Sequence, residues 1–150
     1  MEIQKIAGTE LAGFSVTTTN VDEQKPATAK IGKLWEHFYS QALPNLCPES
    51  RVYGVYTNYE SDFNGAYDVI ACSDTLHNGT DGSFVKAHIE AGSYLVFSAE
   101  GEFPQAVINL WQVIWNYFAN DDCQHKRAYT TDFEFYKSAQ EIEIYIAVHS

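Results

Sequence analysis

The sequence predicts an α+β fold built from a tandem duplication of a strand–helix–strand–strand unit. The order of β-favouring and helix-favouring segments in the first half of the chain is repeated in the second half, and no long linker or low-complexity segment divides them. A chain of 150 residues with 45% hydrophobic residues is also long enough for one domain with a substantial core. We therefore expect a single domain over residues 1–150, with pseudo-repeats of about 1–76 and 77–150.

The first half predicts a strand, a helix and two further strands. Leu11 to Thr18 is rich in β-favouring residues. A helix is expected to begin at Pro26 and to end at Pro44, with apolar side chains at helical spacing between them. Arg51 to Glu60 and Tyr67 to Ser73 then read as two strands separated by a turn-rich segment.

The second half repeats this order. Phe84 to Glu90 and Ser93 to Ala99 are strand-like, Pro104 opens the second helix, and Asp132 to Tyr136 and Ile142 to Val148 alternate as strands do. Two such units predict a mostly antiparallel sheet with two helices on one face. A pseudo-twofold axis between the units would form a central cleft, which is a natural site for a ligand.

Glu134 marks the position at which the duplication breaks down, because the equivalent residue in the first unit is Gly54. Strand alternation places Glu134 on the same face as Asp132 and Tyr136. It is either an ordinary solvated glutamate of a strand or a carboxylate at the floor of an aromatic cleft. In the second case the charge must be compensated or the group takes up a proton, and a bound organic cation would supply that compensation.

Aromatic side chains are candidates for the walls of this cleft. Trp111 and Trp115 are four residues apart and share one face of the second helix, although such a pair also suits plain core packing. Aromatic rings attract flat, lipophilic and cationic molecules by contacts of about 0.5–2 kcal/mol each. The candidate ligand-binding residues are Glu134, Trp111, Trp115, Tyr145, Tyr136, Tyr56 and Phe14.

Composition and motifs argue against several classes of function. With 9 Lys and Arg against 20 Asp and Glu, the net charge of −11 disfavours direct binding of nucleic acid or of an anionic membrane. The uncharged stretch Phe103 to Asn120 carries a polar stripe at helical spacing, so it predicts an amphipathic helix and not a membrane span. The chain shows no metal-ligand spacing, P-loop or nucleophile motif, so we expect no metal, cofactor or catalytic residue. An odd number of cysteines without CxxC, together with no signal peptide, predicts a cytoplasmic protein.

The C-terminal pattern resembles a known family. Phe133-Glu134-Phe135-Tyr136, followed by Ile142 to Val148, looks like the ending of GyrI-like small-molecule-binding domains, and Leu11 to Phe14 and Tyr53 to Tyr56 also fit. These are the effector-binding domains of AraC-type and MerR-type multidrug-responsive activators. The resemblance covers essentially the whole chain and implies a lipophilic cationic ligand. By motif it places Glu134 at the floor of the pocket and Tyr145 as its tyrosine on the last strand.

The same resemblance implies a stand-alone protein, because Leu11 already begins the ligand domain and leaves no room for a DNA-binding domain before it. It is similar to members encoded on mobile integron gene cassettes, and a transcriptional role would need a separate protein partner. We expect a protein that senses or sequesters drug-like cations. Two alternatives stay open: a hydrolase of reactive toxins that uses Glu134 and Tyr145, and a gyrase-inhibitor-like protein whose negative charge binds a basic partner.

Overall fold

The computed structural model of the chain describes residues 2–42, 46–61, 64–76 and 84–149. Their eight strands form one sheet in which every pair of neighbouring strands is antiparallel. The elements are, in chain order, β1 (Glu2–Ile6), β2 (Thr9–Thr18), α1 (Asn20–Glu23), α2 (Ile31–Ala42), β3 (Val52–Thr57), β4 (Tyr67–Ser73), β5 (Val85–Ile89), β6 (Gly92–Glu100), α3 (Gln105–Ala119), β7 (Arg127–Ser138) and β8 (Glu141–Val148). The predicted α+β class is confirmed.

The order of the strands reflects the duplication. Across the sheet they lie β1-β6-β8-β7-β3-β4-β2-β5. If β1 to β4 are exchanged with β5 to β8 and the sheet is read from its other edge, the same strand order results. A pseudo-twofold axis therefore passes between β3 and β7. The first strand of each half pairs with the other half, since β1 lies beside β6 and β5 lies beside β2. Neither β1 nor this exchange is predicted by the sequence pattern.

The start of α2 differs from the prediction. Pro26 lies in a turn, and the helix begins only at Ile31. The reason is local: the Glu23 carboxylate accepts hydrogen bonds from the backbone N–H groups of Lys30 and Ile31, at 2.8 and 3.1 Å, and so satisfies donors that a helix start leaves open. Pro44, the expected end of this helix, and residue 77, the expected start of the second repeat, lie outside the described residues.

Both long helices pack on the same face of the sheet, where the larger part of the core lies. Leu34 and Phe38 of α2 pack over β2 and β4, and Leu110 and Ile114 of α3 pack over β6 and β8. Burying each such side chain contributes about 1.5–3 kcal/mol. Trp111 contacts both clusters and joins them. A third cluster covers the opposite face and includes Leu11, Val55, Ile70, Tyr94 and Phe133.

The described helices include none with the length and apolar character needed to cross a membrane. α3, the most apolar of them, has the wide apolar face and polar stripe that its sequence predicts, with Ala106, Leu110 and Ile114 buried.

Gly13 and Gly32 provide a test of this packing. A Cβ atom at Gly13 would lie 1.9 Å from the carbonyl oxygen of Ala71 on β4, whereas a Cβ atom at Gly32 would meet nothing within 4 Å. We expect Gly13→Ala to lower the free energy of unfolding by about 2 kcal/mol or more, because backbone cannot move aside as a side chain can. Gly32→Ala should raise it by about 0.5 kcal/mol. Urea denaturation measures both, and equal stability of the two variants would contradict the close approach of β2 and β4.

Candidate functional site

A buried carboxylate lies beside the pseudo-twofold axis. Glu134 sits in the middle of β7, directly across from Gly54 on β3, and is only 2% exposed. A Cβ atom at Gly54 would lie 2.5 Å from Oε1 of Glu134 and 3.1 Å from the Trp35 ring. Residue 54 therefore has to be glycine for the carboxylate to occupy this space. At this pair of equivalent positions, one half provides a buried acid and the other provides the space for it.

Three neutral groups donate hydrogen bonds to this carboxylate. Oε2 accepts from the Tyr56 hydroxyl at 3.0 Å and from the Trp111 indole N–H at 2.8 Å, and Oε1 accepts from the Tyr136 hydroxyl at 2.8 Å. Burial raises the pKa of Glu134 above its usual range, and the three hydrogen bonds offset part of that effect. The carboxylate is therefore held in one position while its negative charge stays uncompensated.

Asp132, two residues earlier on β7, is a buried carboxylate that does have a cationic partner. It is fully buried, and its Oδ2 lies 2.6 Å from the Arg127 guanidinium, while the Tyr59 hydroxyl also donates to it. Its other oxygen accepts from the backbone N–H of Ala147 at 2.9 Å. The charge of Asp132 is neutralised inside the protein, as buried charges require. Among the described residues, no cationic side chain is recorded within ion-pair distance of Glu134.

Aromatic rings enclose Glu134 from both helices. Trp35 of α2 packs edge-on against Tyr136 at 5.2 Å, and Trp111 of α3 packs against Tyr56 at the same distance. The pseudo-twofold axis relates Trp35 to Trp111 and Tyr56 to Tyr136, so the enclosure has near-twofold symmetry apart from its acid. Phe103 adds an edge-on contact to Tyr136 at 5.6 Å.

The aromatic surface continues outward on each helix. One turn after Trp35 lies Tyr39, with ring centroids 5.9 Å apart, and one turn after Trp111 lies Trp115, at 6.2 Å. Tyr39 is 45% exposed and Trp115 is 38% exposed. Each helix thus carries aromatic rings from the buried carboxylate to the solvent.

The predicted site residues divide into two groups. Glu134, Tyr56, Tyr136 and Trp111 form one hydrogen-bonded cluster, and Trp115 extends it. Strand alternation, helical spacing and the pseudo-symmetry of the two halves predict these five residues as candidates for the site.

Tyr145 is not brought to this cluster. The partner of Glu134 on β8 is Ile144, and the next side chain along a strand points to the opposite face. There the Tyr145 ring stacks on Phe133 at 4.4 Å and its hydroxyl donates to Glu143. The structure thus corrects the motif-based expectation that Tyr145 shares a pocket with Glu134.

Phe14 is also remote, because β3 and β4 separate β2 from β7. Its ring packs against His37 at 4.3 Å and Phe84 at 5.4 Å. In contrast, Trp35 belongs to the cluster and was absent from the predicted set. The alignment of Leu34-Trp35 with Leu110-Trp111 carries the signal that identifies it, since it makes Trp35 the equivalent of Trp111.

The chemistry that this arrangement supports is binding of positive charge. Burial and the neighbouring Glu134 hold the pKa of the Tyr56 and Tyr136 hydroxyls well above their usual range, so both stay protonated donors. Among the described residues, no group of three or more His, Cys, Asp and Glu side chains is placed to hold a metal ion.

Comparison with known proteins is consistent with this geometry. The family model Cass2, described as integron-associated effector binding protein, matches residues 2–148. The integron cassette protein VCH_CASS2 of Vibrio cholerae has 60% identity to this chain and a TM-score of 0.94, with 99% of this chain and 95% of that chain covered.

More distant similarities also cover nearly the whole chain. YobU of Bacillus subtilis strain 168, named as a candidate transcriptional regulator, is 26% identical over 148 residues, which cover 91% of this chain and 90% of YobU. SAV2435, whose structure is bound to tetraphenylphosphonium, has a TM-score of 0.72 and 20% identity, with 99% of this chain and 93% of that chain covered. At this identity the similarity to SAV2435 shows the fold alone.

The raised pKa of Glu134 predicts a pH dependence of stability. Deprotonation of this group is less favourable in the folded chain than in the unfolded chain. Its contribution to stability is therefore fully present below the ordinary glutamate value of 4.5 and is lost as the pH rises through the raised value. Glu134→Gln removes this titration. As the pH rises above 4.5 and through the raised pKa of Glu134, the free energy of unfolding of the wild type should fall relative to that of the variant.

Urea denaturation at several pH values measures this difference. Glu143→Gln is the matched control, because it removes the same charge from the opposite face of the sheet. We expect the stability of this control to change with pH as that of the wild type does. A difference between wild type and Glu134→Gln that does not change with pH contradicts the burial of an uncompensated charge.

Proposed function

The chain belongs to the integron-associated effector binding protein family, and from this premise we propose that it binds lipophilic aromatic cations against Glu134. The observation that carries the proposal is a carboxylate only 2% exposed whose recorded hydrogen-bond donors are all neutral. A cation from outside the protein supplies the missing charge. The role that follows is sensing or sequestration of drug-like molecules.

Coulomb attraction provides much of the selectivity in this proposal. A unit positive charge about 4 Å from the carboxylate gains about 4 kcal/mol at an effective dielectric constant near 20. The aromatic rings of Trp35, Trp111, Tyr56 and Tyr136 add about 0.5–2 kcal/mol for each favourable cation–π contact. Loss of hydration of the ligand opposes both terms. A bulky cation with delocalised or shielded charge loses less hydration than a compact ammonium, and this favours lipophilic ligands.

Ligand entry requires movement of the aromatic rings. Trp35 and Trp111 are half-buried and lie between the carboxylate and the exposed Tyr39 and Trp115. Displacing the Trp111 indole breaks one of the two hydrogen bonds to Oε2 and frees this oxygen toward the incoming charge. The hydrogen bonds from Tyr56 and Tyr136 keep the carboxylate in place meanwhile.

The relatives support the choice of ligand and the biological setting. Tetraphenylphosphonium bound to SAV2435 is a lipophilic aromatic cation of the proposed class. The similarity to YobU supports a role in regulation, which we propose is exerted through a separate DNA-binding protein. We place this role in the cytoplasm, where the three free cysteines stay reduced.

Glu134→Gln tests the proposal directly. We expect it to weaken tetraphenylphosphonium binding at least about tenfold, since a hydrogen bond or contact to a charged group contributes about 1.5–3 kcal/mol. Binding of the neutral triphenylphosphine oxide should change about threefold at most. Quenching of Trp fluorescence measures both affinities, because Trp35 and Trp111 line the site.

Glu143→Gln serves as the control for the overall loss of one negative charge, and it should bind tetraphenylphosphonium as the wild type does. If Glu134→Gln weakens the phosphonium and the neutral oxide by the same factor, the carboxylate acts only through packing and the proposal fails.

A further inference from the structure

A second cleft lies in the first half of the domain, remote from Glu134. It is formed by α2, by the end of β2 and by the segment that joins them, and its volume is about 750 Å³. Phe14, Val16 and Leu34 provide an apolar wall, and Val85 of β5 closes one side. It shares no residue with the aromatic cluster around Glu134.

This cleft exists because the two halves differ here. In the second half, α3 follows β6 after residues 101–104, and Phe97 fills the space beneath the helix by packing on Tyr117 and Phe118. In the first half, residues 19–30 form a longer connection that becomes an additional wall. The residue equivalent to Phe97 is Phe14, since Phe97 pairs with Ile144, the β8 partner of Glu134, and Phe14 pairs with Ala71, the β4 partner of Gly54. The Phe14 ring packs against His37 and Phe84, and the longer connection leaves the space beside it open.

The charge of the cleft is opposite to that of the chain. Lys30 and Lys33 line it against one acidic residue, Asp22, although the whole chain carries a net charge of −11. The Lys30 ammonium is engaged, because it donates to the carbonyl oxygen of Thr17 at 2.9 Å. Lys33 is exposed and, among the described residues, has no recorded hydrogen bond or ion pair. Its ammonium is therefore available to a ligand.

We propose that this cleft binds a small amphipathic organic anion. The apolar body of the ligand packs on Phe14, Val16 and Leu34, and its carboxylate or sulfonate lies beside Lys33. This cleft selects negatively charged ligands and the site at Glu134 selects positively charged ones, so the two sites bind different molecules. Phe14, which the sequence places among the cation-binding residues, belongs to this second site.

A matched pair of fluorescent probes tests the proposal on the full chain. The probes are 5-(dimethylamino)naphthalene-1-sulfonate and its neutral sulfonamide, which share one fluorophore and differ in charge. We expect saturable fluorescence enhancement with the sulfonate and at least about threefold weaker binding of the sulfonamide, as one partly exposed charge contributes under about 1 kcal/mol. Equal affinity for the two probes overturns the proposal.

Three variants test whether the sulfonate binds in this cleft. Lys33→Gln should weaken its binding about threefold, whereas Lys137→Gln, which removes the same charge from a lysine of β7 with 45% side-chain exposure, should not. Val85 is 43% exposed, so Val85→Glu leaves the core intact and places a negative charge on the cleft wall. It should weaken the binding of the sulfonate by about threefold.

Glu134→Gln distinguishes the two sites, because we expect this variant to bind the sulfonate as the wild type does. Loss of sulfonate binding in Glu134→Gln, or wild-type affinity in both Lys33→Gln and Val85→Glu, shows that the probe binds elsewhere and overturns the assignment.

Discussion

The burial of one unneutralised carboxylate is the constraint on which the rest of the site depends. Glu134 loses nearly all contact with water and receives only neutral hydrogen bonds in return. Such a group favours protonation, or the arrival of a cation, over remaining charged and alone. The neighbouring Asp132 shows that the same strand can neutralise a buried acid with Arg127. Among the described residues, Glu134 has no recorded cationic partner, and in our proposal a cationic ligand takes that place.

The duplicated fold explains how one acid comes to lie at the centre. The pseudo-twofold axis brings equivalent positions of β3 and β7 together, and two carboxylates there would repel each other at close range. Gly54 resolves the conflict, because its missing side chain provides the space that Glu134 occupies. The same symmetry supplies paired aromatic rings, Trp35 with Trp111 and Tyr56 with Tyr136. A second departure from symmetry, the long connection between β2 and α2, opens the basic cleft on the other side of α2.

Sequence patterns predicted the strands, the helix start and the site residue that depend on nearby residues in the chain or on the duplication. Alternation and β-favouring residues located β4 and β8, Pro104 located the start of α3, and the break in the duplication identified Glu134. The features that were missed depend on side-chain contacts and strand pairings that no periodic pattern shows. β1 is short and finds its partner in β6 of the other half, and α2 begins at Ile31 because Glu23 satisfies its first donors. The family motif predicts Tyr145 in the pocket, although strand alternation relative to Ile144 places its side chain on the other face of the sheet.

We infer that Glu134 carries a raised pKa and that a bound cation lowers it. Carbon-detected NMR of the Glu134 side-chain carboxyl measures that pKa in the free protein and in the protein saturated with tetraphenylphosphonium. We expect a titration midpoint above the ordinary glutamate value of 4.5 in the free protein, and a clear fall of that midpoint when the cation binds. A midpoint at or below 4.5 in the free protein, or one that the cation does not move, contradicts it.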